Sequence, residues 1–278
     1  MTDTANGFDF LEQVGGYTDD SNLGMDGLQK NLMPLFLILD TSGSMAGQKI
    51  QQVESAIEEI KMQLSLLNAK NDDADIKISI LRFDTNVRWE GQMQDPALIN
   101  PDLTLGVLTN MGAAFIELEK MLSRKQLIQK GQCAGYKRAV LILLTDGLPT
   151  DDVDEGIRKL RTNNWFVKGT RIGFAIGDDA DTECLKKFTG NSETVLQLNN
   201  INLLSEILSN VAVVASTTAT HAPGLSTDDA ATQQQKDEEF NSSASNTTDI
   251  LKSAFESQVV GGNIDPDDAS NIFAGWTL

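Results

Sequence analysis

Four short, almost unbroken apolar runs set the tightest limit on how this chain folds: 35–40 (LFLILD), 76–83 (IKISILRF), 138–145 (RAVLILLT) and 170–176 (TRIGFAI). Strands that are apolar on both faces belong in the middle of a parallel sheet with helices covering each side. Helical periodicity separates them. Ile50, Val53, Ile57, Ile60, Leu64 and Leu67 recur at spacings of three and four, which is one face of a long amphipathic helix. Residues 112–122 read as a helix that continues to about 130, and 152–163 and 181–188 read as two more. Residues 194–198 read as a weak last strand, and Leu203, Ile207, Val211 and Val214 mark a final helix. Residues 86–90, with Val87 and Trp89, read as a short antiparallel strand beside the second. Strands alternating with helices require right-handed crossovers. The expected fold class is therefore α/β, a doubly wound, mostly parallel, Rossmann-like sheet with helices on both faces.

That block spans 33–216. Residues 1–32 are polar and acidic with no sustained period, and read as a flexible arm. From 217 to 278 the chain reads as a polar, acidic tail. Through 248 it has almost no apolar content, the composition of a disordered segment. Ile250, Leu251, Phe255, Val259 and Val260 then suggest a short helix, and 271–278 (NIFAGWTL) an apolar end. Two readings of that end stand side by side: a docking peptide, or a segment packed on the domain's own surface.

Charge narrows the function classes. With 22 Lys and Arg against 40 Asp and Glu, the net charge is −18. Phosphate contacts need clustered cations, so nucleic acid is not an expected ligand, and an anionic membrane surface is disfavoured for the same reason. No apolar stretch approaches the roughly 20 residues that cross a bilayer, and the N-terminal residues lack the basic start and apolar core of a secretory signal. Cys133 and Cys184 form no CxxC pair, and the sole histidine is His221. A structural zinc site is thereby disfavoured. Two reduced thiols in a cytoplasmic protein are the expectation.

In open α/β sheets, ligands bind beyond the carboxyl ends of the strands, where the strand order switches. Asp40 closes the first apolar run, and Asp146 follows the third. Ser42 and Ser44 sit two apart in the turn after Asp40, and Thr109 precedes another helix. Asp40 alone could equally cap the following turn. Two carboxylates with three hydroxyls, and no His or Cys, make a hard oxygen site, which suits Mg2+ or its close relative Mn2+. Asp151 and Asp152 are read as capping the next helix, Asp84 as a turn residue, and Asp178, Asp179 and Asp181 as an acidic loop.

Asp40-Thr41-Ser42-Gly43-Ser44 resembles the DxSxS signature of the von Willebrand factor A (VWA) fold. Thr109 and the Thr145-Asp146-Gly147 turn resemble the rest of its metal-ion-dependent adhesion site (MIDAS). The resemblance covers nearly all of 33–216. It implies that Ser42, Ser44 and Thr109 ligate the metal directly, with Asp40 and Asp146 holding it mostly through waters. It further implies a protein partner that offers an Asp or Glu to the metal. The segments LILDTSGSM, TNMGAA and LLTDGLPTDD are similar to the tellurium-resistance (TerY-type) bacterial subgroup, whose members act with a kinase and a phosphatase in stress response. The chain departs from that subgroup in having no cysteine after Cys184.

The expected function is a metal-dependent protein interaction module, an adaptor in such a system. The second reading is a VWA subunit of an AAA+ ATPase machine. A metal-dependent hydrolase is disfavoured, since Ser42 stands where a phosphoryl-transfer enzyme places its second Asp. A serine nucleophile would need a base, and no P-loop is present, so no catalysis is expected.

Overall fold

The computed structural model describes residues 29–123, 133–224 and 232–260, with backbone alone for 253–260. The expectations for 1–28, for a helix beyond 123 and for the apolar end at 271–278 lie outside the described residues. The elements are β1 (Asn31–Asp40), α1 (Gln48–Lys70), β2 (Ala74–Phe83), β3 (Val87–Gln94), α2 (Met111–Met121), β4 (Val140–Thr145), α3 (Asp154–Leu160), α4 (Asn164–Lys168), β5 (Thr170–Ile176), α5 (Thr182–Thr189), β6 (Val195–Leu198), α6 (Leu204–His221) and α7 (Gln233–Val260).

The six strands form one sheet in the order β3-β2-β1-β4-β5-β6. All pairs are parallel except the β2–β3 hairpin. The chain leaves β1 for β2 on one side and later enters β4 on the other. The strand order therefore switches between β1 and β4, and the ligand crevice of an α/β sheet opens there.

The pleat sends alternate residues to opposite faces. Leu35, Leu37, Leu39, Ile142 and Leu144 share a core with the apolar faces of α1 and α6. Phe36, Ile38, Leu141 and Leu143 share the other with α2, α3, α4 and α5. Both faces are covered, which is why these strands are apolar throughout.

Residues 201–221, α6 and the turn before it, are long and apolar enough to cross a membrane, contrary to the expectation that no stretch approaches that length. Leu204, Ile207, Leu208, Val211, Ala212 and Ala215 are buried in the α1 core, so the apolar character belongs to a core helix.

The composition predicted disorder through 248, but α7 begins at Gln233 and packs on the domain. Its buried face mixes Phe240, Ala244 and Leu251 with the hydroxylic Ser243, Thr247 and Thr248. Thr247 and Thr248 donate to carbonyls one turn back, at 2.9 and 3.3 Å, and Ser243 donates to Gly169 O at 2.6 Å. Hydroxyls satisfied in this way can be buried at little cost. Phe240 lies over Phe166, with the guanidinium carbons of Arg161 and Arg171 4.5 and 4.0 Å from its ring centroid. Arg171 is fully buried and donates to the carbonyls of Phe166, Val167, Gly169, Thr189 and Phe240. Burial pushes its pKa down to about 9. The helix closes this cage, and composition alone does not reveal it.

Candidate metal centre

β1 is buried to its last residue and delivers Asp40 to the crevice. Its Oδ1 accepts the Ser42 N–H at 2.8 Å, and its Oδ2 accepts the Thr145 hydroxyl at 2.6 Å. Thr145 ends β4, so the two strands flanking the switch are joined at the carboxylate. The chain then makes a single 3-10 turn at Gly43–Met45, which brings the Ser42 and Ser44 hydroxyls within 3.0 Å of each other. Ser44 donates to Asp146 Oδ1 at 2.7 Å. Asp40, Ser42, Ser44 and Asp146 therefore form one connected cluster.

Thr109 joins from a separate loop. A side chain built on Gly147 would meet Ser44 Oγ and Thr109 Oγ1 at 3.8 Å each, so both hydroxyls face the same small space. The loop is held from two sides. Thr109 N–H donates to Thr150 Oγ1 at 3.1 Å, and Thr150 N–H donates to Thr109 O at 2.9 Å. The Asp151 carboxylate accepts the N–H groups of Gly112 and Ala113 at 2.8 Å each. Asp151 therefore caps α2, not the helix that follows it, as the sequence reading had it. A Cβ on Gly112 would stand 2.1 Å from Asp152 O, so the close approach requires glycine there.

Asp84 was expected to be a turn residue, and it does accept the Asn86 N–H at 2.7 Å. It is also buried, pairs with Arg82 at 2.7 Å, and accepts the Thr41 hydroxyl at 3.2 Å. Its backbone oxygen accepts the Asn110 N–H at 3.1 Å. It ties the Ser42 turn to the Thr109 loop from behind. Arg82 two residues away was the available signal, since i and i+2 share one face of a strand.

Sequence reasoning missed Lys49 altogether. Its Nζ lies 2.5 Å from Asp146 Oδ2. Burial raises the Asp40 carboxyl above the ordinary carboxylate range; the bonds from Thr145 and Ser42 pull it back, and neighbouring Asp146 raises it further. Two buried carboxylates side by side form a site that favours a cation, and an ammonium already stands on one of them. The hard oxygen donors fit a divalent ion of the Mg2+ class. Ser42, Ser44, Thr109, Asp40 and Asp146 are the residues that would hold it. It would supply an electrophilic centre for one further anionic ligand.

Beyond the site, Leu148, Val107 and Leu108 are 66, 79 and 42 % exposed. They neighbour Asp146 and Thr109 in the chain, so exposed apolar side chains flank the site residues in sequence. Asp178 and Asp179, after β5, are exposed and pair with no cation among the described residues. His221 ends α6, and the next residue, Ala222, accepts Lys137, which pairs with Asp73 beside Asn31 at the amino end of β1, the opposite end of that strand from Asp40.

The family model for the von Willebrand factor type A domain matches residues 35–210. No curated protein matches the chain. Among solved structures, the pilus adhesin SpaC from Lactobacillus rhamnosus GG, in its open conformation, matches at 12% identity and a TM-score of 0.51, covering 69% of this chain and 31% of that one. Proximal thread matrix protein 1 from the mussel byssus matches at 13% identity and a TM-score of 0.50, covering 68% and 49%. A structure of the same mussel protein with a zinc-occupied MIDAS motif matches at 13% identity and a TM-score of 0.46, covering 68% and 46%. The chain thus spans less than half the length of each, and at these identities the likeness to SpaC and to the first mussel structure is one of fold alone.

Proposed function

The chain belongs to the von Willebrand factor type A family, whose members generally mediate metal-dependent protein interactions, and on that premise we propose that it captures a protein partner through a divalent ion held at Asp40, Ser42, Ser44, Thr109 and Asp146. The observation that carries the reading is the connected Asp40–Ser42–Ser44–Asp146 cluster at the strand-order switch. With three neutral hydroxyls in its shell, the ion keeps much of its charge and takes an Asp or Glu from the partner. Mg2+ is the ion we favour, on donor chemistry alone.

The exposed apolar side chains of Leu148, Val107 and Leu108 refine the partner. A carboxylate flanked by apolar side chains would bury them as it reaches the metal, and a basic residue nearby would meet Asp178 and Asp179. We read binding rather than catalysis, because His221 is remote from Ser42 and Ser44, and Cys184 is buried. Two free cysteines support a reducing, cytoplasmic setting. The turn at Leu148-Pro149-Thr150-Asp151-Asp152 supports an adaptor role in a bacterial stress response of the tellurium-resistance type, with a kinase or phosphatase as partner.

The test is Mn2+ titration calorimetry on the wild type and on Asp40→Ala/Ser42→Ala. Capture of an acidic, apolar-flanked peptide is then measured with Mg2+ and with EDTA. Binding of ion and peptide lost together in the variant is the expected outcome. Peptide held equally in EDTA would sink the metal-bridged socket.

A further inference from the structure

Lys49 stands where a helix least favours a cation. It is the second residue of α1, and no acidic residue in that first turn offsets it. Free N–H groups and the positive end of the helix dipole already gather there. Gly47, which precedes the helix, contributes no side-chain cap. Asp146 holds the ammonium in place. The carboxylate is fully buried, while a third of the Lys49 side chain remains exposed. The other Asp146 oxygen accepts the Ser44 hydroxyl. Both oxygens are thus engaged, one of them by a full positive charge.

A divalent ion beside Ser42 and Ser44 would lie close to that ammonium, and like charges at such range repel strongly in a partly buried site. The lysine has a flexible four-carbon stem and an exposed flank, so it has a way out. Resting on the metal-site reading above, we propose that Lys49 is a tethered counter-cation that competes with the divalent ion for Asp146. Loading the metal displaces the ammonium toward the rim of the site. The oxygen ligands therefore bind the ion more weakly than they would without Lys49, and the metal-free protein keeps its buried carboxylate neutralised.

The experiment is Mn2+ titration of the full chain at low salt, followed by calorimetry and by electron paramagnetic resonance of free Mn2+. Lys49→Met keeps the stem and removes the charge, Lys49→Gln removes the charge but stays polar, and Lys49→Arg keeps the charge. Met and Gln are expected to tighten Mn2+ binding about tenfold or more, because the competing buried pair is gone. Arg is expected to stay within about threefold of wild type. In EDTA, Lys49→Met should melt lower than wild type, and Mn2+ should raise its melting temperature by more. Ser42→Ala should abolish binding in every background.

Unchanged or weaker binding in both Met and Gln, with Ser42→Ala still abolishing it, overturns the role of Lys49 and leaves the metal site standing. Binding absent from every protein, or indifferent to Ser42→Ala, overturns both.

Discussion

Asp151 makes no hydrogen bond to any of the five proposed metal ligands among the described residues, yet the geometry predicts that its loss disables the site. Its carboxylate takes the N–H groups of Gly112 and Ala113, the second and third residues of α2. A helix begins with four unpartnered donors, and Asn110, at the N-cap position, makes no side-chain bond to them. The cap comes instead from a loop 39 residues away in sequence. Removing an acidic cap costs about 1 kcal/mol and up to 2. Leaving buried N–H groups unpaired adds part of a further 1–3 kcal/mol or so. Half-buried as the carboxylate is, we expect Asp151→Ala to lower unfolding free energy by about 2–3 kcal/mol.

Urea denaturation checks that figure, and the corresponding fall in melting temperature is about 5–10 °C. Thr109 lies two residues before α2, so a frayed helix start releases it. Mn2+ affinity should therefore drop in the same variant. Asp151→Asn keeps an acceptor but no charge, and should lose about half as much. A destabilisation under about 0.5 kcal/mol would refute the capping argument. Full destabilisation with Mn2+ affinity intact would refute the link from cap to Thr109.

Phe240→Ala removes the ring stacked on Phe166 under Arg161 and Arg171. It should cost about 3–5 kcal/mol and speed amide exchange across 233–252. A loss under about 1 kcal/mol would show that α7 is not held by this contact. Burial pushes the Cys184 thiol up from 9.0 to about 12, so a thiol reagent at mildly alkaline pH should label Cys133 alone in the native protein, and both cysteines in urea. A raised acid favours the neutral form in the fold. Its contribution to stability is therefore complete below about 9 and is lost between about 9 and about 12. A Cys184→Ala variant with the same alkaline slope in its urea midpoint would contradict this.

The strands were legible because both of their faces are apolar, and that pattern has few other solutions. Ser42 and Ser44 were legible because a single turn holds both beside Asp40. The supporting residues were not, and the reason lies in chain distance. A lysine in the first turn of an amphipathic helix reads as solvated surface, and nothing local shows that its partner is 97 residues away. Asp151 reads as a cap, correctly by type, but its position beside one helix conceals that it folds back onto another. The end of α7 is legible from Ile250 and Leu251, but 233–248 is not, because low apolar content alone does not measure burial. Ser243, Thr247 and Thr248 bury hydroxyls that helix and loop carbonyls already satisfy. Arg171, with no carboxylate beside it among the described residues, needs the carbonyl that Phe240 brings.

These partnerships decide what kind of cation site this is. A net charge of −18 suggests a protein eager for metal, but most of the acids around the crevice already have partners. Asp84 is paired with Arg82, Asp151 with the start of α2, Asp146 with Lys49, and Asp40 with two hydrogen bonds. Asp40 is the exception, since its two hydrogen bonds come from neutral donors and no cation pairs with it among the described residues, so a divalent ion gains charge neutralisation chiefly there. On the proposed reading, the rest of its affinity comes from the hydroxyl oxygens and from one more anion that a partner would supply. Ion and partner should therefore each raise the other's affinity by the same factor, as linkage requires. A partner peptide that leaves the Mn2+ affinity unchanged would show that the two do not share a site.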